Sequence, residues 1–155
     1  MSQSRDKTIS KEIKITTRPV VTIDSIKGDF NKLIVLNIIK YLNEVSEKAL
    51  QHLIYWLKSE KNVQLKYEFI SIGNLPVSKQ LKEDINILLY LGLIETNPST
   101  RKLRLTTNGL EFLDKNNLSS GEMEVILRGV EDLKPKIKPI EAEAELTSKN
   151  IRGRR

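Results

Sequence analysis

The chain of 155 residues contains no cysteine and a single histidine, His52. Without thiols there can be no disulfide, thiolate metal site or cysteine nucleophile, and one imidazole makes no zinc site unless several carboxylates help it. Aromatic residues are only 5% of the chain, which limits the core to a modest size and favours a single folded domain. Apolar runs stay far short of the roughly 20 residues that a membrane-spanning helix needs. The opening MSQSRDKTISKEIK has no apolar signal-peptide stretch, so the expectation is a cytoplasmic protein with no membrane partner. Glycine-rich phosphate loops, nucleophile–base pairs and HExxH are missing as well, so neither catalysis nor a cofactor or metal is expected. His52, beside Leu53 in a helical stretch, reads as an ordinary helix residue.

Charge is what the chain does have, and it is unevenly placed. The formal net charge is +6. Residues 1–19 carry five Lys/Arg against two acids, residues 134–155 carry seven against three, and the body between them has fourteen against fifteen. The basic character therefore belongs to the two ends, where it serves either as nucleic-acid arms or as solubilising tails.

Apolar periodicity organises the body. Asp29 is placed to cap a helix over 30–42, with Leu33, Leu36, Ile39 and Leu42 as its stripe. Ser46 offers the next cap, for a helix over 47–59 that buries Ala49, Leu50, Leu53, Ile54 and Leu57. VQLKYEFISIG (63–73) alternates as an edge strand does, although a short helix over 61–70 is also compatible with so brief a run. Gly73-Asn74 and Pro76 close it with a turn. Ser78 then caps a helix over 79–91, ended by Gly92 in the usual left-handed position. Leu93 and Ile94 start a strand, Asn97-Pro98-Ser99-Thr100 turns it, and 102–106 returns. Thr107 or Asn108 caps a covering helix that brings Leu110, Phe112 and Leu113. Ser119 and Glu122 form a capping box for a last helix over 121–133.

The segments LGLIE (91–95) and LTTNGLEFL (105–113) resemble the LxxxGLI and LTxxG elements of archaeal and bacterial winged helix-turn-helix transcription factors. The likeness spans roughly 32–116 and is strongest over 81–113, with FISIGNLPVSKQL (69–81) leading into the presumed recognition helix. It implies a mainly α fold with a small β hairpin, the winged helix-turn-helix, over residues 28–116. It also implies that the helix before the wing enters the major groove of double-stranded DNA, in a nucleoid-associated protein. Carried onto this chain, Ser78, Lys79, Gln80, Lys82, Asn86 and Tyr90 would form the reading face, with Arg101, Lys102 and Arg104 on the wing.

The chemistry of those side chains suits the role. Gln80 and Asn86 have bidentate geometry for adenine, Lys79 and Lys82 reach guanine edges or phosphates, and Ser78 with the first-turn amides offers a phosphate site. Arg101, Lys102 and Arg104 would contact phosphates irrespective of sequence, although basic residues on an edge also serve simply to block strand-on-strand pairing. Glu83 and Asp84 count against the reading helix, since they reduce its net charge to zero.

Met123, Ile126, Leu127 and Val130 form a stripe on the helix within 117–134, which could lie on its own domain or meet a twin; a homodimer is the expectation. Two Lys-Pro steps argue that 135–155 is a flexible basic tail, whose Arg152, Arg154 and Arg155 are nucleic-acid contacts or merely solvated. Residues 1–27 form a basic arm whose IKITTRPVVTI (13–23) is β-prone. Two function classes follow: a DNA-binding transcriptional regulator or chromatin-associated protein, and a winged-helix interaction module that docks on protein partners in a replication, transcription or chromosome-handling complex.

Overall fold

The computed structural model describes residues 21–153, with side chains as far as Thr147. Helix α1 (Phe30–Leu42) begins where Asp29 accepts a hydrogen bond from the Lys32 amide at 3.2 Å. Leu33 to Ile39 are buried without interruption, Asn37 among them, so α1 is enclosed on all sides and occupies the centre of the molecule. Helix α2 (Glu47–Ser59) follows after a short joint, capped by Ser46. Both helices have the bounds that periodicity and caps predict.

Residues 63–69 then run extended. Val63, Leu65 and Tyr67 are buried while Gln64, Lys66 and Glu68 face water, the alternation expected of a strand. No neighbouring strand pairs with them among the described residues. Side chains satisfy part of the backbone instead: Asn31 Oδ1 accepts from the Lys66 amide at 3.1 Å, and Lys58 Nζ donates to the Tyr67 carbonyl at 2.5 Å. The helix considered over 61–70 does not form.

A hairpin of β1 (Ile70–Ile72) and β2 (Leu75–Val77) closes this excursion across Gly73, whose φ of 64° suits glycine. Helix α3 (Lys79–Tyr90) starts at the Ser78 cap and ends before Gly92, at φ 75°. A second hairpin, β3 (Ile94–Thr96) with β4 (Leu103–Leu105), pairs Ile94 with Leu105 and Thr96 with Leu103. Val45, in the joint between α1 and α2, bridges to Leu103 and extends this hairpin on its outer side.

Helix α4 (Thr107–Lys115) is capped by Thr106, one residue earlier than expected. The position matters because Thr106 joins three elements. Its amide donates to the Leu93 carbonyl at 3.1 Å and its hydroxyl to the Gly92 carbonyl at 2.6 Å, while the same oxygen accepts from the Gly109 amide. A β-carbon at Gly109 would collide with the Leu93 carbonyl, so glycine is required there for close backbone approach. The LGLI and LTTNG segments are thus two halves of one packing junction.

The largest departure from expectation is α5 (Ser120–Gly153), which runs straight through Pro135 and Pro139. Its start is the predicted reciprocal box, with the Glu122 amide donating to Ser119 Oγ and the Ser119 amide to Glu122 Oε1, both at 3.2 Å. The Lys-Pro steps do not stop it. Both prolines lie on the exposed side, one turn apart, where water can reach the carbonyls that lose their intrahelical donors. Leu133 and Ile137 meanwhile stay buried on the other side. Residues 135–153 are therefore helix and not a flexible tail.

The α5 stripe is spent within this chain. Ile126, Val130, Leu133 and Ile137 are all 5% exposed or less and join the core made by α1 and α2. A β-carbon at Gly129 would lie 2.9 Å from Leu57 Cδ2, which shows how closely α5 sits on α2. Of the residues expected at a homodimer interface, Met123, Ile126, Leu127 and Val130, the structure places Ile126 and Val130 inside this chain, because α2 needs cover that α4 does not supply. Met123 and Leu127 are half-buried. Of the N-terminal arm, 1–20 lie outside the described residues; a single 3-10 turn (Asp24–Ile26) follows, with Ile26 buried against the core. No helix among the described residues is long and apolar enough to cross a membrane.

Candidate nucleic-acid interface

Helix α3 presents two faces. Leu81, Asp84, Ile85 and Leu88 point inward, while Lys79, Lys82, Glu83, Asn86 and Tyr90 are exposed at the i, i+3, i+4, i+7 and i+11 positions of a single stripe. Lys79 and Asn86 make no hydrogen bond or ion pair with the described residues, so both are available to a ligand. Tyr90 is 76% exposed and does not pack beneath the hairpin.

Three residues expected on this face are committed elsewhere. Ser78 is fully buried: its Oγ accepts from the Leu81 amide at 3.2 Å and its own amide donates to Gln51 Oε1 at 3.0 Å. It fixes the start of α3 against α2 and offers no phosphate site. Gln80 is half-buried, with Oε1 accepting from Ser78 Oγ at 3.1 Å and from the Glu68 amide at 3.4 Å. Lys82 pairs with Glu47 at 2.9 Å across to α2.

The β3–β4 hairpin shows the same division. Arg101, at the turn with φ 65°, is exposed and has no side-chain partner among the described residues. Lys102 pairs with Glu145 on α5 at 2.8 Å, and its side chain is only 15% exposed. Arg104 Nε donates to Glu95 Oε2 at 2.7 Å, and its NH1 lies 3.7 Å from Glu44. Glu44 also accepts from the Asn97 amide group and from the Thr100 hydroxyl, which ties the turn back to the α1–α2 joint. Arg152 lies on the α5 backbone, whereas Arg154 and Arg155 lie outside the described residues.

Asp84 reverses its expected part. It does not cancel charge on the exposed stripe, because it is 4% exposed and surrounded by partners. Tyr67 donates to its Oδ2 at 2.6 Å, Lys32 lies 3.1 Å away and Lys66 3.3 Å. Lys32 also holds Asp29 at 2.7 Å, so an ionic cluster links α1, the extended segment and α3. Burial opposes the charge on Lys32, but its hydrogen bonds to Asp29 and Asp84 prevail and raise its pKa. Burial likewise opposes charge on Asp29, yet the bonds from Lys32 hold that carboxyl below its usual value. The Tyr67 phenol is pushed well up, by burial first and then by the bond to Asp84. One signal for this cluster was present in the sequence: Asp84 occupies the apolar stripe of its own helix.

His52 is half-buried with its ring centroid 5.3 Å from that of Trp56, and burial, then the nearby Lys48, lowers its pKa. It faces no acid–nucleophile arrangement among the described residues.

No family model, characterised protein or solved structure matches this chain. Its own geometry must carry the functional argument.

Proposed function

We propose that the chain is a winged-helix DNA-binding protein that reads the major groove with α3 and touches the backbone with the β3–β4 hairpin as its wing. The observation that carries this reading is the unpartnered set Lys79, Asn86 and Arg101, together with an element order in which Val45 between α1 and α2 bridges to the returning strand of the hairpin. Moving Asp84 to the interior supports it further, since the exposed stripe of α3 then carries Lys79 and Lys82 against Glu83 alone. Asn86 has the paired donor and acceptor that adenine requires, and Lys79 reaches a guanine edge or a phosphate. Arg101 supplies a contact indifferent to sequence.

The test is selection from a random duplex pool with the full chain, followed by affinity measurements over a range of salt. Retention of an enriched sequence is expected. Arg101→Ala should weaken binding to all duplexes alike and reduce the salt slope by about one, while Asn86→Ala should relax preference at one position. Binding with no enriched sequence would sink sequence-specific regulation.

One observation favours the second reading, a protein-docking module. Ile70 and Val77, with Ile72 and Leu75, share one face of the β1–β2 hairpin, and Ile70 and Ile72 are 67% and 59% exposed. Such a face on a chain so rich in charge is a recognised mark of protein contact.

A further inference from the structure

The acidic run on α5 lies against basic and amide donors at the start of α2 and on the β3–β4 hairpin. Glu141 accepts from the Ser46 amide, at 3.1 Å to one oxygen and 3.3 Å to the other. Glu143 pairs with Lys48 in the first turn of α2, and Glu145 pairs with Lys102 on the hairpin at 2.8 Å. Three alternate glutamates on one helix thus engage an amide and two ammonium groups contributed by two separate elements. These are the donors that a nucleic-acid backbone uses, because a carboxylate and a phosphodiester present similar anionic oxygens.

Two further features bear on how firmly the run is held. Beyond Ile137 no described side chain of α5 is fully buried, and the core holds this part of the helix only through the half-buried Ile140. A groove of about 450 Å³, lined by Leu42, Lys102, Ile137, Lys138 and Glu145 among others, also opens along α5 here. Lys48, Glu143 and Glu145 are well exposed, Lys102 is 15% exposed, and ion pairs open to water in this way are individually weak and screened by salt.

We propose that Glu141, Glu143 and Glu145 act as an intramolecular stand-in for phosphate, covering a backbone-binding surface formed by the Ser46 amide, Lys48 and Lys102, and that duplex DNA displaces them. This rests on the DNA-binding reading above and adds an autoinhibitory contact to it. A duplex releases condensed counterions when cations bind it, an advantage that three tethered carboxylates lack. The end of α5 therefore sets the threshold of ionic strength at which the protein engages DNA.

The experiment compares three full-length proteins on a random-sequence duplex over a range of salt: the unmodified chain, E141Q/E143Q/E145Q, and a control, E111Q/D114N/E124Q, that removes the same charge elsewhere. The first variant is expected to bind about tenfold more tightly than the control, with a steeper salt slope, as two further cations become available. Adding K48A/K102A to it should abolish the gain. Equal tightening in both charge variants, or a gain that survives K48A/K102A, would overturn the autoinhibitory contact and leave the DNA-binding reading intact. If neither the unmodified chain nor any variant binds at low salt, the DNA-binding reading fails and takes this inference with it.

Discussion

Two ionic assemblies hold this molecule together, and they differ in almost every physical respect. Around Asp84, the Lys32 and Asp84 charges of α1 and α3 are buried, joined by the half-buried Asp29 and the exposed Lys66 of the extended segment and completed by a tyrosine hydroxyl. Along α5, Glu143 and Glu145 are open to water and Glu141 is half-buried, and their partners range from the exposed Lys48 to the 15%-exposed Lys102 and the buried Ser46 amide. Buried charges without partners are severely penalised, so the first assembly either exists whole or disrupts the fold. Exposed pairs cost little to separate, so the second can come and go. One chain thus uses the same chemistry for a permanent joint and for a releasable one, with solvent access deciding which.

The comparison can be broken most forcefully at Asp84. Asp84→Ala leaves the Lys32 ammonium and the Tyr67 hydroxyl short of a partner in the interior, and should cost about 3–5 kcal/mol of unfolding free energy in urea titration. The loss should change little between low and high salt, and Asp84→Asn, which keeps the shape, should lose less. A salt-sensitive loss would mean that the cluster is open to water.

A smaller effect is expected on the acid side. Asp29 has a folded-state pKa below its unfolded value, so its contribution is present above about pH 4 and is lost as pH falls through the depressed value. Asp29→Asn should accordingly lower stability at neutral pH and flatten the acid limb of a stability–pH curve. An unchanged limb would show that the Lys32 bond to Asp29 does not form in solution.

The smallest change is expected from E141Q/E143Q/E145Q. Its urea midpoint should fall only slightly below that of the unmodified chain at low salt, and the difference should vanish at high salt. A large loss at both would place the α5 row with the buried cluster and erase the contrast.

Local chemistry was the part of the structure most visible in advance. The caps Asp29, Ser46 and Ser78 and the Ser119–Glu122 box depend on neighbours within four residues, and each stands where the sequence places it. Long-range pairings were hidden. Nothing near Lys102 announces Glu145, and a charged residue in an apolar stripe, as at Asp84, is normally discounted until its partners from other segments are known. The course of α5 was concealed for a related reason. Whether a helix tolerates proline depends on which side faces water, and that is decided by α2, more than sixty residues earlier. Of the candidate contact residues, Lys79, Asn86 and Arg101 have no side-chain partner among the described residues, whereas Ser78, Gln80, Lys82, Lys102 and Arg104 are engaged inside the chain.

The junction at Thr106 has a consequence for how such a protein can change. Because Thr106 clasps the carbonyls of Gly92 and Leu93, the two ends of the hairpin are pinned together at its base, while Glu44 and Val45 hold its turn and returning strand. A loop closed in this way can lengthen at its tip for little entropy, since the closure cost grows only with the logarithm of its length. Insertions around Ser99 would leave α3 and α4 where they are. The exposed Pro98 and Ser99, between the two residues that Glu44 holds, are thus more open to variation among descendants of the same gene than the clasp itself, which tolerates almost none.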